Sequence, residues 1–195
     1  MNDILRLALQ NQEKARKIIE ELQLIPIWKS VGADPHLVGS LRMGLLMKHR
    51  DIDFHIYSDP LEVSQSFAAI QKMAENPAIR QIEYKNLSDT EEKCIEWHAW
   101  YTDHTNELWQ IDMIHILKGS FYDGYFEKMA DRIVSLLTPE TKQLILQLKN
   151  DTPESEKIMG VEYYQAVLRD GIRNYADFEK WRIHHPVNGI LHWIP

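Results

Sequence analysis

The chain has 195 residues and a mass of 23.0 kDa, with 22 Lys+Arg against 29 Asp+Glu, a net charge of −7 and a pI near 5.7. Its 44% hydrophobic and 26% charged residues supply enough apolar surface to offset the entropy of ordering, which excludes a disordered chain. The acidic balance argues against a nucleic-acid partner, whose backbone is bound through Lys and Arg, but it leaves small nucleotides open.

The length suits one domain, or one core with an appendage. A single cysteine, Cys94, excludes an internal disulfide and points to a reducing compartment. Asp3, Arg6, Glu13, Lys14, Arg16 and Lys17 interrupt any apolar run near the start, so no secretory signal is read there. The longest uncharged apolar stretches, such as Leu24 to Trp28, fall far short of the ~20 residues needed to cross a bilayer. A cytoplasmic protein without a membrane partner is expected.

Residues 3–25 repeat Ile4, Ala8, Ala15, Ile18, Ile19 and Leu22 near helical spacing, and Pro26 marks the expected boundary. Gly32 and Pro35 punctuate a turn before a short apolar run, His36-Leu37-Val38, which reaches Gly39-Ser40. From Asp51 to Tyr57 polar and apolar residues alternate, the pattern of a strand with one wet face. Ser58-Asp59-Pro60 then opens a predicted helix over 61–74.

Three further strands are predicted at about 79–86, 94–101 and 107–117, the last two forming an antiparallel hairpin. After Lys118-Gly119 the pattern becomes helical, over 121–137, 139–149, 157–169 and 174–183. The expected fold is α/β (α+β): a mixed β-sheet core at 1–118, flanked by helices, then a C-terminal helical region at 119–195.

The chemistry concentrates between Leu37 and Tyr57. Gly39-Ser40 ends an apolar strand ahead of a short helix, where a phosphate can approach the backbone and meet a hydroxyl donor. Arg42, Lys48 and Arg50 place three cations within nine residues of an otherwise acidic chain. Asp51 and Asp53 lie two apart on a strand, so both carboxylates face one side. Two such charges are best tolerated with a cation between them, and Mg²⁺ suits carboxylates combined with substrate phosphates. Together these features are what nucleotidyl transfer requires. A third acid is expected from a neighbouring strand, and Asp112, flanked on both sides by apolar residues, is the candidate.

Gly39-Ser40, ten intervening residues, then Asp51-Ile52-Asp53 resembles the signature of the DNA polymerase β-like nucleotidyltransferase superfamily. The short chain and trailing helices are most similar to its small bacterial branch, the kanamycin- and lincosamide-nucleotidyltransferase type. The run from Tyr164 to Arg173 resembles the helical ending of some members of that branch. The resemblance implies that Gly39 and Ser40 contact the nucleotide phosphates and that Asp51 and Asp53 hold Mg²⁺. It implies that Asp112 completes the metal site or helps to deprotonate the acceptor. Arg42, Lys48 and Arg50 are the candidate phosphate contacts. The implied reaction moves a nucleoside monophosphate from an NTP, with ATP the expected donor, to a hydroxyl of a small-molecule acceptor. Pyrophosphate leaves, and two Mg²⁺ ions about 3.5–4 Å apart assist.

The loop departs from the family pattern, because Met43 and Leu45-Leu46-Met47 make it apolar. That departure supports an alternative: a catalytically weak relative that binds a nucleotide or a partner protein, in the manner of antitoxin-like members. Among the nine histidines, His55 shares the Asp51/Asp53 face by alternation and His115 points to the face opposite Asp112. No His/Cys spacing matches a zinc site. Trp97, Trp100, Tyr101 and Trp109 are read as core.

Overall fold

The computed structural model describes residues 3–187 and 189–195. Helix α1 (Asp3–Glu21) buries Ala8, Gln12, Ala15, Ile18 and Ile19 along one stripe. Gln23, in the left-handed region at φ 50, turns the chain into α2 (Leu24–Ser30). Pro26, expected as a boundary, instead lies in the first turn of α2, where its missing N–H removes no helical hydrogen bond.

Strand β1 (Asp34–Leu37) leads into the single helical turn α3 (Gly39–Arg42), then β2 (Asp51–Ser58) and α4 (Val63–Ala74). Strands β3 (Ile79–Leu87), β4 (Cys94–Thr102) and β5 (Leu108–Leu117) complete a five-stranded sheet of order β1-β2-β5-β4-β3. Only β2 and β5 run parallel; the other neighbours are antiparallel, so the sheet is mixed.

Period-2 alternation gives the sheet two distinct faces. Ile52, Phe54, Ile56, Trp97, Ala99, Trp109, Ile111 and Met113 pack on α1, α2 and α4 in the larger core. Burying side chains of this size contributes about 1.5–3 kcal/mol each. His115 lies on this covered side, with Nε2 2.7 Å from Oγ of Ser58 and its ring edge-on to Trp28. Trp97, Tyr101 and Trp109 are buried as read from sequence, whereas Trp100 stays partly exposed.

The opposite face carries Asp51, Asp53, Gln110, Asp112 and His98, and the helical region rises beside it. This region comprises α5 (Tyr125–Leu136), α6 (Pro139–Asp151), α7 (Gly160–Tyr164) and α8 (Tyr175–His184). Thr138 caps α6 through a capping box with Thr141, and Pro139 occupies its first position. The predicted helix over 157–169 starts later and changes character, since α7 passes into a π-helical turn at Gln165–Arg169.

The second core joins Met129, Ile133, Ile145, Leu146, Tyr163, Tyr164, Val167 and Phe178 to Ala8, Met43, Leu45 and Met47. The strands end at Leu117, next to the expected boundary at 118, yet the helical core draws on residues from well before it. No described helix is long and apolar enough to cross a membrane.

Candidate active site

The bend after β1 and the acidic face of β2 are built as one unit. The backbone N–H of Val38 donates to the Asp53 carbonyl at 2.9 Å, and Gly39 follows at φ 66. A Cβ on Gly39 would stand 1.9 Å from Oδ2 of Asp53, so the carboxylate lies directly against the glycine backbone. Glycine is required here on two grounds, the left-handed dihedral and the missing side chain. Ser40 is buried next to it, and its hydroxyl has no hydrogen-bond partner among the described residues. An unpartnered buried hydroxyl costs free energy unless a ligand satisfies it.

The strand register supplies the third acid. Asp53 pairs directly with Asp112 across the parallel β2–β5 ladder, and His98 pairs with Asp112 from β4. Asp53, Asp112 and His98 therefore form one row across three strands, with side chains on one face. Burial raises the carboxyls of Asp51 and Asp53, and neighbouring carboxylates add to the effect. Asp53 is pushed well above the ordinary range, by burial first and then by Asp51 and Asp112. Asp112 is held on one oxygen: Oδ1 lies 2.6 Å from Nδ1 of His98 and accepts from Nε2 of Gln110 at 2.8 Å. That hydrogen bond raises the pKa of His98.

All three acids line a cleft of about 610 Å³ between the sheet face and the helical region, together with Gly39, Ser40, His55 and Arg50. His55 is buried and meets the Phe126 ring edge-on at 5.0 Å, and burial lowers its pKa to about 4, which keeps it neutral at pH 7. Met43, Met47, Met129 and Met159 contribute much of the apolar wall.

The cations are arranged differently from the sequence expectation. Arg50 reaches the cleft rim, where it is paired with Glu107 at 2.9 Å. Arg42 turns outward to Asp131 at 2.8 Å, and Lys48 donates to the Asn150 carbonyl at 2.7 Å; neither lines the cleft. The charge facing the acids comes from Lys149 and Lys157 instead.

Lys149 is buried on α6 and donates to the Leu45 carbonyl at 3.1 Å and the Tyr164 hydroxyl at 3.3 Å. Burial lowers its pKa to about 8, against the attraction of Asp51 and Asp53. Among the described residues no ion pair within 4.0 Å joins Lys149 to either carboxylate. Gly160 makes this placement possible, because a Cβ there would stand 2.8 Å from the Tyr164 hydroxyl. Sequence reasoning missed Lys149. The available signal was its helical phase, four residues after Ile145 and three after Leu146, on a stripe that is otherwise apolar.

The donor set fits a divalent cation shared with a phosphate ligand. Crowded carboxylates of raised pKa and an orphaned serine hydroxyl both call for an oxygen-bridging cation and an anion. Among the described residues no group of three or more His, Cys, Asp or Glu is placed to hold a metal ion, so Asp112 does not join Asp51 and Asp53 as a third ligand. Mg²⁺ typically takes one or two carboxylates and completes its shell from water and substrate phosphates.

Neither a family model nor a curated protein matches the chain. Solved structures do. The MgGTP-bound Cid1 poly(U) polymerase is similar at a TM-score of 0.59 and 14% identity, over 82% of this chain and 50% of that one. A cytoplasmic RNA terminal U-transferase is similar at a TM-score of 0.54 and 14% identity, over 86% of this chain and 51% of that one. Cid1 with Mg 3'-dATP gives a TM-score of 0.58 at 15% identity, over 82% and 49%. The chain thus spans about half the length of these structures. The likeness shows that the chain shares their fold, a mixed sheet flanked by helices.

Proposed function

We propose that the protein is a Mg²⁺-dependent nucleotidyltransferase that moves a nucleoside monophosphate from an NTP, with ATP the first donor to test, to a hydroxyl of a small acceptor. The observation that carries this is the set of Asp51, Asp53 and Asp112 on one sheet face, beside a Gly39-Ser40 bend with a buried free hydroxyl. Mg²⁺ bound with the nucleotide supplies polarisation of the α-phosphate and neutralisation of the departing pyrophosphate. Asp51 and Asp53 hold the cation. Ser40 and the Gly39 backbone receive phosphate oxygens, while Lys149 and Lys157 offset the phosphate charge from the helical side. The acceptor oxygen forms a bond to the α-phosphorus and the bond to the β-phosphate oxygen breaks, releasing pyrophosphate. Asp112, whose Oδ2 makes no hydrogen bond to a described residue, takes the acceptor proton.

The small acceptor is supported by the net charge of −7, since a polynucleotide acceptor needs a basic track. The likeness to structures named as poly(U) and RNA terminal U-transferases makes an RNA 3'-hydroxyl the acceptor to set against it. Incubation with α-labelled NTPs, hydroxylated small molecules and a short oligoribonucleotide, read by mass, decides between them. Label on small molecules is expected; label on the oligoribonucleotide alone overturns that choice. Asp51→Asn and Asp53→Asn should each end the transfer while leaving the fold intact, and unchanged turnover in both would refute the enzyme.

A second reading, nucleotide or partner binding without turnover, is favoured by one observation. Lys149 already lends positive charge to the acid pair, a service a metal would otherwise perform. Binding of NTP that is indifferent to Mg²⁺, with no label transferred, would establish it.

A further inference from the structure

We infer that His98 is a positioning residue for the proposed transfer: with Gln110 it clamps Oδ1 of Asp112 so that Oδ2 stays turned toward the cleft. This rests on the nucleotidyl-transfer reading, because it assigns a job to the support of Asp112.

His98 does not line the cleft, whereas Asp112 and Gln110 do. Its Nδ1 lies 2.6 Å from Oδ1, and Nε2 of Gln110 donates to the same oxygen at 2.8 Å. Among the described residues no hydrogen bond reaches Oδ2. The geometry also has a direction. His98 pulls from β4, on the side of β5 away from β2 and its two aspartates. An aspartate on a strand has several staggered χ1 wells, and two donors on one oxygen select among them.

A stabilising role alone does not account for this arrangement. The β4–β5 ladder runs from Cys94↔Ile116 to Thr102↔Leu108 on backbone pairing, so the strands stay joined without the imidazole. The side chains of His98 and Asp112 are 28% and 22% exposed, so solvent screens part of their attraction. Partners that orient a carboxylate of a reacting site, by contrast, change turnover about 10–100-fold when lost.

The clamp needs a hydrogen on Nδ1, whatever the charge of the ring, since a carboxylate oxygen only accepts. Asparagine can present an amide N–H near the Nδ1 position, while glutamine extends toward Nε2. His98→Ala should lower kcat about 10-fold or more, with KM for the NTP within twofold and binding of Mn²⁺ alone, followed by electron paramagnetic resonance, unchanged, since Asp51 and Asp53 hold the cation. His98→Asn should return kcat toward the native value, and His98→Gln should resemble the alanine variant. Nitrogen-15 spectra of the native protein should show His98 protonated at Nδ1.

Native kcat in His98→Ala, with Asp112→Asn inactive, would overturn the clamp and leave the transferase reading standing. Full activity of Asp112→Asn would overturn that reading itself. Should His98→Ala fail to fold, equal behaviour of the Asn and Gln variants refutes the clamp, as does an Nδ1 lacking hydrogen in the native spectrum.

Discussion

Asp53→Asn should leave a more stable protein that no longer works. Asp53 and Asp112 are register partners on adjacent parallel strands, and Asp51 shares their face. At the ~5 Å spacing of paired strands and an effective dielectric of about 20, two unit charges repel by roughly 3 kcal/mol once both carboxyls are ionised, at a pH above the raised native value of Asp53. Lys149 offsets part of this, and the half-buried setting screens more, which leaves a gain of about 1–2 kcal/mol for the variant. For a chain of this length that corresponds to a rise in Tm of roughly 2–8 °C.

The sign of the pH dependence follows from linkage. The native carboxyl lies well above its ordinary value, so above about pH 4 the folded state holds a proton that the unfolded chain has released. Wild-type stability should therefore decline as pH rises from about 4 through the raised native value, and Asp53→Asn should flatten that decline. Millimolar Mg²⁺ with NTP should stabilise the wild type and have much less effect on the variant. Thermal unfolding followed by circular dichroism at pH 5 and pH 8, with and without Mg²⁺ and NTP, measures all of this. A variant less stable than the wild type at pH 8 would show that Asp53 is satisfied in the free protein, and the crowding argument would be wrong.

Two further outcomes follow from the same geometry. Gly39→Ala should destabilise by about 2–4 kcal/mol in urea unfolding and abolish transfer, because the new Cβ meets the Asp53 carboxylate at 1.9 Å on a backbone at φ 66. A loss below about 0.5 kcal/mol would mean that the bend and strand separate freely. Lys149→Met should fold and weaken NTP binding about tenfold or more, whereas Arg42→Ala and Lys48→Ala should change it less than threefold. Calorimetry of all three variants ranks the cations, and the reverse order would reassign the phosphate contacts to the loop.

The face each of the three acids takes was legible in the chain because it depends on local periodicity, while the pairing of Asp112 with Asp53 came from the β2–β5 register. Alternation from Asp51 to Tyr57 places two carboxylates on one face, and apolar neighbours identify Asp112 as a polar residue on a packed strand. Glycine before Ser40 is singled out in the chain for the close approach of a phosphate, whereas in the structure it is the Asp53 carboxylate that leaves no room for a side chain. The expected strands lie within a residue or two of β2 to β5, and each later helix overlaps its prediction. The boundary at Pro26 failed because proline obstructs a helix interior but fits a first turn, and sequence spacing alone does not show which of the two it occupies.

Which cations serve the cleft was decided by the fold. Arg42, Lys48 and Arg50 are neighbours in sequence, but long side chains follow the partners available to them, and Asp131 and Asn150 come from the helical region. Lys149 lies nearly a hundred residues from Asp51 and Asp53 and reaches them only because α6 packs its apolar stripe beside the loop containing Leu45. The clamp of His98 on Asp112 likewise needs the order β2-β5-β4, which puts the hairpin partner on one side of Asp112 and the acidic pair on the other. Local patterns set which way a residue faces; long-range packing sets what it meets there.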